Sequence, residues 1–119
     1  MTNVPFGANV RLQDEAQPGA TIIDLFGEIN AFAEQDLNTA YSEAEEFNTS
    51  VIVLNFCEVT YINSTGIALI VALLAQARKS GRRLIVYGLS NHYEEIFRIT
   101  RLSDFMSIFP DEPAALADL

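Results

Sequence analysis

The sequence predicts a single α/β domain over residues 1–119, with a mixed, mostly parallel sheet of about five strands packed against about four helices. After a first hairpin, strand-like runs alternate with helix-like runs, which is typical of parallel strands joined by right-handed crossovers. Residues 51–56 are apolar on both faces, as expected for a central strand. The chain has 119 residues, 50% of them hydrophobic, which is enough for one core.

The first part of the chain contains two predicted strands and one predicted helix. The strands, residues 9–12 and 21–26, are close enough in sequence to pair as a hairpin. Asn30 is a candidate N-cap for the helix, and Glu34 and Asp36 lie in its first turn. The apolar positions of this helix recur at helical spacing. They are Ala33, Leu37, Ala40, Tyr41, Ala44 and Phe47.

The central strand at 51–56 leads to a polar turn at residues 63–66 and then to an apolar helix that begins near Thr65. Arg78 and Lys79 occupy the last turn of this helix. Gly81 follows where a glycine commonly ends a helix. The loop at 63–66 therefore lies after the carboxyl end of a parallel strand, where partners and ligands of α/β folds usually bind.

The last part of the chain predicts a strand at 84–87, a helix, a strand at 106–109 and a short helix over residues 111–119. Ser90 or Asn91 is the expected cap of the first of these helices. Its apolar stripe consists of Tyr93, Ile96, Phe97 and Thr100.

The turn Asn63-Ser64-Thr65-Gly66 places two hydroxyls at a helix N-terminus, where backbone N–H groups are unpaired and the macrodipole is positive. The Ser64 hydroxyl either caps the helix or carries a phosphate, which a helix N-terminus tolerates well. Both roles hold together if Thr65 caps the helix and Ser64 points outward. At Gly66, a side chain would crowd either an approaching partner or the neighbouring strand.

Charge and motifs argue against several function classes. The net charge of −9 with only 7 basic residues disfavours nucleic-acid binding. It would steer a partner with a basic face, although solubility alone explains it equally well. One cysteine and one histidine cannot form a zinc site, and no glycine-rich phosphate loop is present. Ser64 is not in a G-x-S-x-G elbow. We therefore predict no cofactor, no metal, no catalytic residue and no enzyme activity.

We expect a soluble cytoplasmic protein that does not associate with membranes. The first residues have neither the basic start nor the apolar run of a signal peptide. The longest apolar stretch, residues 67–75, is too short to cross a bilayer. Cys57 is the only cysteine, so it cannot form an internal disulfide, which fits a reducing compartment.

Residues 21–109 resemble a STAS domain of the anti-sigma factor antagonist type. The strongest part of the resemblance is the apolar strand, the Asn-Ser-Thr-Gly turn and the apolar helix, where the family carries a D-S-[ST]-G turn. Gly27-Glu28-Ile29 before the first helix, residues 96–102, and Phe105 and Phe109 add to it.

The resemblance implies a regulatory switch without catalysis. Such a domain, when unmodified, binds a serine kinase that doubles as an anti-sigma factor, and so frees a sigma factor. The kinase phosphorylates the serine of the turn, and a PP2C-type phosphatase removes the phosphate. By position that serine is Ser64, with Thr65 as the alternative acceptor. The partner-binding residues implied are Asn30, Asn63, Ser64, Thr65 and Gly66.

Several positions near the turn differ from the family pattern. Asn63 replaces the acid before the serine, Asn55 an acid at the strand end, and Asn30 an acid that often follows Gly-Glu-Ile, while Glu58 replaces a glycine. Two alternatives therefore remain: a STAS scaffold that is never phosphorylated, and a small-molecule sensor.

Overall fold

A five-stranded sheet organises the chain in a computed structural model that describes residues 4–14, 19–117 and 119. Its strands follow the order β1-β2-β3-β4-β5; β1 and β2 are antiparallel and the other neighbours are parallel. This confirms the predicted fold class. The elements are β1 (Gly7–Leu12), β2 (Ala20–Ile29), a 3-10 turn (Ala31–Ala33), α1 (Glu34–Glu46), β3 (Val51–Ile62), α2 (Ser64–Lys79), β4 (Arg83–Tyr87), α3 (Asn91–Ile99), a second 3-10 turn (Leu102–Asp104), β5 (Ser107–Phe109) and α4 (Glu112–Ala117).

The two faces of the sheet are covered unequally. On one face, residues such as Leu54 and Val86 form the main core together with buried side chains of α1, α2 and α3. On the other face, Val53 and Ile85 pack with Ala115 of α4, which has only six residues. Most of the helical cover therefore lies on one side.

Strand β3 is central, as its apolar residues predict, but it is twice as long as expected. It runs over twelve residues to Ile62. Its pairing with β4 stops at Asn55, whereas its pairing with β2 continues to Ile62 through two register shifts. The second half therefore has one neighbour fewer, and exposed polar residues such as Glu58 and Thr60 hide it from a search for apolar runs.

Both predicted helical stripes extend one position too far. Phe47 is the C-cap of α1 and is 45% exposed, and Thr100 is the C-cap of α3 and is exposed. At these positions the chain leaves the helix and turns away from the core. Ser90 provides the cap of α3, because its Oγ accepts the N–H of Tyr93 at 3.4 Å.

The described helices are short compared with a bilayer. Within residues 4–14, 19–117 and 119, no helix combines the length and the hydropathy needed to span one.

Candidate functional site

Helix α2 is capped by Asn63, which lies between the end of β3 and the first helical residue. The Asn63 backbone is extended, and its Oδ1 accepts the N–H of Gly66 at 2.8 Å. The Asn63 carbonyl oxygen accepts the N–H of Ile67 at 2.9 Å. An asparagine side chain caps a helix as well as a hydroxyl does. The interpretation of Ser64 as the cap, and that of Thr65 as the cap, are therefore both wrong.

Ser64 and Thr65 occupy the first two positions of α2, and both are exposed. Neither hydroxyl makes a hydrogen bond to any residue that the structure describes. The Ser64 hydroxyl is therefore accessible to another molecule and does not cap the helix. Helix α2 has no acidic residue in its first turn, so no carboxylate of its own offsets the positive end of its dipole there.

Gly66 presses the start of α2 against the end of β2. A Cβ at this buried position would overlap the carbonyl oxygen of Ile29. The same oxygen accepts the N–H of Asn63 at 3.2 Å. Of the two reasons predicted for this glycine, crowding of the neighbouring strand is thus confirmed.

Asn30 directly follows Ile29 and is the predicted N-cap, although it caps the 3-10 turn that precedes α1. Its Oδ1 accepts the N–H of Phe32 at 2.9 Å. The turn packs against α2, so Asn30 lies at the same end of the sheet as Asn63, Ser64 and Gly66. The ends of β2 and β3 thus bring the predicted partner-binding residues together.

Two aromatic residues of this region were not predicted from the sequence to be part of the site. Tyr93, at the start of α3, accepts the N–H of Ile62 through its hydroxyl at 2.9 Å and ties α3 to the end of β3. Phe32 projects from the 3-10 turn with 94% of its side chain exposed. Its position outside the helical stripe, beside the Asn30 cap, was the available signal.

Asn55 does not belong to this site, contrary to the expectation that it marks the strand end. The strand continues beyond it to Ile62. Its Nδ2 donates to Asp24 at 2.8 Å, and its Oδ1 accepts the N–H of Cys57 at 2.9 Å. The side chain therefore serves a polar network in the middle of the sheet, away from the start of α2.

The polar network joins the sheet to α4. Arg11 binds Asp24 at 2.7 Å and Glu112 at 2.5 Å, and the Tyr87 hydroxyl donates to Glu112 at 2.6 Å. Burial raises the pKa of Asp24, but hydrogen bonds from Arg11 and Asn55 outweigh it, so the pKa lies below its usual value. Hydrogen bonds from Arg11 and Tyr87 likewise lower the pKa of Glu112. The network therefore holds the last helix in place.

Metal binding has no visible basis in this region. Across residues 4–14, 19–117 and 119, no group of three or more His, Cys, Asp or Glu side chains is arranged to hold a metal ion. What the start of α2 offers is an exposed hydroxyl at a positive helix end.

Comparison with known proteins identifies the family. The family model described as STAS domain matches residues 11–115. An anti-sigma-B factor antagonist of Listeria monocytogenes is 32% identical over 88 residues, which are 72% of this chain and 77% of the relative.

Two solved structures share the fold. An anti-sigma factor antagonist from Mycobacterium paratuberculosis superposes with a TM-score of 0.80 at 18% identity, over 96% of this chain and 93% of the other. The Bacillus cell fate determinant SpoIIAA in its phosphorylated form gives 0.69 at 19% identity, over 95% and 100%. With the family match and the Listeria relative, the chain belongs to the STAS domain family, in the group of the anti-sigma factor antagonists.

Proposed function

We propose that this chain is an anti-sigma factor antagonist that binds an anti-sigma factor with serine kinase activity, and that phosphorylation of Ser64 ends the binding. The observation that carries the proposal is the Ser64 hydroxyl, which is exposed and unused at the N-terminus of α2. The names of the relatives support the same role. Thr65, which is also exposed, is the alternative acceptor.

The exposed face of α2 supports docking of a protein partner. From Ser64, this face continues through Ala68, Val71, Ala72 and Ala75 without a charged side chain until Arg78. Val71 is 43% exposed. Small and apolar side chains let a partner approach closely at a low cost of desolvation. An uncharged face is notable in a chain with a net charge of −9.

Phosphorylation would change this face without unfolding the domain. A phosphate adds about −1.5 to −2 charges. At a helix N-terminus, a negative charge typically stabilises by about 0.3–1 kcal/mol. The cost therefore falls on the complex, because the partner would have to desolvate a doubly charged group in the contact.

The amides at Asn30 and Asn63 are compatible with such a switch. Each accepts a backbone N–H as a cap, and asparagine and aspartate are about equally good caps. The amides therefore preserve the local structure while adding no charge of their own to the unmodified surface. Phosphorylation would therefore change the local charge by a larger fraction than it would if positions 30 and 63 were carboxylates.

We further propose that residues 1–119 act as one domain in the cytoplasm, and that a PP2C-type phosphatase restores the unmodified form. We assign no catalytic residue to the chain. Its contribution is to present Ser64 in two states that the partner distinguishes.

Intact-protein mass spectrometry after incubation with ATP and each serine kinase of the source organism tests the acceptor. We expect a gain of one phosphate that is lost in Ser64→Ala and kept in Thr65→Ala. Ser42→Ala is the matched control, because Ser42 is also an exposed helical serine, on α1. No mass gain with any kinase, together with unchanged binding of every anti-sigma factor by Ser64→Asp, would refute the switch.

A further inference from the structure

The almost fully exposed side chain of Phe32 lies at the same end of the sheet as Ser64. Phe32 is 94% exposed, more than any other large apolar side chain that the structure describes, the next being Ile99 at 68%. A ring that remains in water gains from burial in a partner's pocket, where aromatic side chains commonly dominate binding.

The backbone that carries Phe32 is fixed. The Asn30 side chain accepts the Phe32 N–H at 2.9 Å, and the Asn30 carbonyl oxygen accepts the N–H of Ala33 at 3.0 Å. Ala33 is fully buried and attaches the turn to the core. Because the turn is already ordered, binding of the ring would cost this chain little conformational entropy.

The ring forms one wall of a surface groove, which we call the Phe32 groove and define by Val4, Phe6, Glu28, Phe32 and Asp36. Val4, which also lines the groove, is secured to β2, because the N–H of Glu28 donates to the carbonyl oxygen of Val4 at 3.0 Å. Val4 is 47% exposed. The groove therefore combines apolar walls with two carboxylates.

The charges of the groove indicate the chemistry of its occupant. Glu28 and Asp36 are both acidic, and none of the described residues that line the groove is basic. In a symmetric dimer, a second copy of the chain would bring carboxylates against carboxylates, which disfavours self-association through this groove. A segment with an apolar side chain next to lysine or arginine complements both the ring and the charges.

We propose that Phe32 is the apolar anchor of the partner interface, and that the Phe32 groove receives a basic–apolar segment of the anti-sigma factor. This inference rests on the proposed function, since the groove and Ser64 lie at the same end of the sheet. The 3-10 turn that carries Phe32 follows Ile29, whose carbonyl oxygen accepts the N–H of Asn63. A single partner can therefore contact Phe32 and sense the state of Ser64.

Site-specific photocrosslinking of the full chain in cells of its source organism tests the contact. The photoreactive residue p-benzoylphenylalanine replaces Phe32, Thr65 or Phe47 in separate variants. Phe47 is the matched control, because it is a half-exposed phenylalanine at the other end of α1, just before β3 begins. We expect positions 32 and 65 to capture the same anti-sigma factor and position 47 to capture none.

The other outcomes separate the two proposals. Capture of an anti-sigma factor from position 65 but not from position 32 overturns the anchor and leaves the proposed function standing. Capture of a second copy from position 32 overturns it in favour of a homodimer. Capture of no anti-sigma factor from either position refutes both proposals.

The affinity of the purified chain for the captured anti-sigma factor measures how much the anchor contributes. We expect Phe32→Ala to weaken binding by about 10- to 100-fold and Phe47→Ala by less than about threefold. The double variant Glu28→Gln, Asp36→Asn should reduce the dependence of affinity on ionic strength. Equal effects of Phe32→Ala and Phe47→Ala would contradict the proposal.

Discussion

The α-carbon of Gly66 lies so close to the carbonyl oxygen of Ile29 that a side chain at position 66 would overlap this oxygen. This contact fixes where α2 starts relative to the end of β2. Since the Ile29 oxygen also accepts the N–H of Asn63, the cap and the packing of α2 depend on one atom. Ser64 lies between Asn63 and Gly66 in the chain and remains exposed.

The substitution Gly66→Ala tests this contact. Alanine is normally favoured over glycine in a helix by about 1 kcal/mol. Here we expect the opposite sign, a loss of about 1–3 kcal/mol in the free energy of unfolding, because the added methyl overlaps backbone that cannot move freely. Urea denaturation measures it.

Gly19→Ala is the control for that measurement. A Cβ there would meet only Gln13 Oε1 at 3.9 Å, so we expect a change within about 0.5 kcal/mol. If the Gly66→Ala variant is more stable than the wild type, α2 does not pack against the end of β2 as described.

The division of roles between Asn63 and Ser64 can be measured through stability. Asn63→Ala removes the hydrogen bond to Gly66 and should cost about 0.5–2 kcal/mol, whereas Asn63→Asp should keep the cap. Ser64→Ala removes no described hydrogen bond and should change stability by less than about 0.5 kcal/mol. Equal losses in Ser64→Ala and Asn63→Ala, by urea denaturation, would mean that the serine is part of the cap after all.

The attachment of α4 should depend on pH through Glu112. Because its pKa is lowered in the folded chain, its stabilising contribution is present above the ordinary pKa of about 4.3. The contribution is lost as the pH falls through the lower folded value. The stability gap between the wild type and Glu112→Gln should therefore be widest near neutral pH and should narrow as the pH falls below about 4.3.

Denaturant midpoints between pH 7 and pH 3 measure this gap. Glu95→Gln is the control, because the Glu95–Arg98 ion pair is exposed on both sides and such pairs contribute little. A gap for Glu112→Gln that stays constant over the whole range would contradict the role of the network.

The buried hydroxyl of Tyr41 makes a further prediction. Tyr41 is fully buried, and its hydroxyl has no hydrogen-bond partner among the described residues. Burial raises its pKa to about 12. Tyr41→Phe removes an unpaired polar group and should be neutral or stabilising by up to about 1 kcal/mol. A loss of more than 1 kcal/mol in urea denaturation would indicate a bound partner, such as an internal water.

The sequence was sufficient for the order of the elements, because apolar periodicity and the spacing of caps are local properties. The central position of β3 followed from its two apolar faces. The end of β3 could not be predicted in the same way. Beyond Asn55, the strand loses its pairing with β4, and the exposed polar residues Glu58 and Thr60 interrupt its apolar pattern.

The details of the site also exceeded what local sequence can specify. Asn63, Ser64 and Thr65 are three consecutive good caps, and the choice among them depends on where β3 stops. Asn63 is the cap because β3 stops just before it, where the Asn63 N–H donates to the carbonyl oxygen of Ile29. The position of Phe32 outside the helical stripe is visible in the sequence, but how far the residue is exposed depends on how the 3-10 turn packs.

The affinity of a kinase-type anti-sigma factor for the unmodified chain and for the chain phosphorylated on Ser64, compared at one salt concentration, tests the central claim most directly. A doubly charged group in the proposed docking face should weaken binding by at least about tenfold, while Ser64→Ala should bind as the unmodified chain does. Equal affinity of the phosphorylated and unmodified chains would contradict the account.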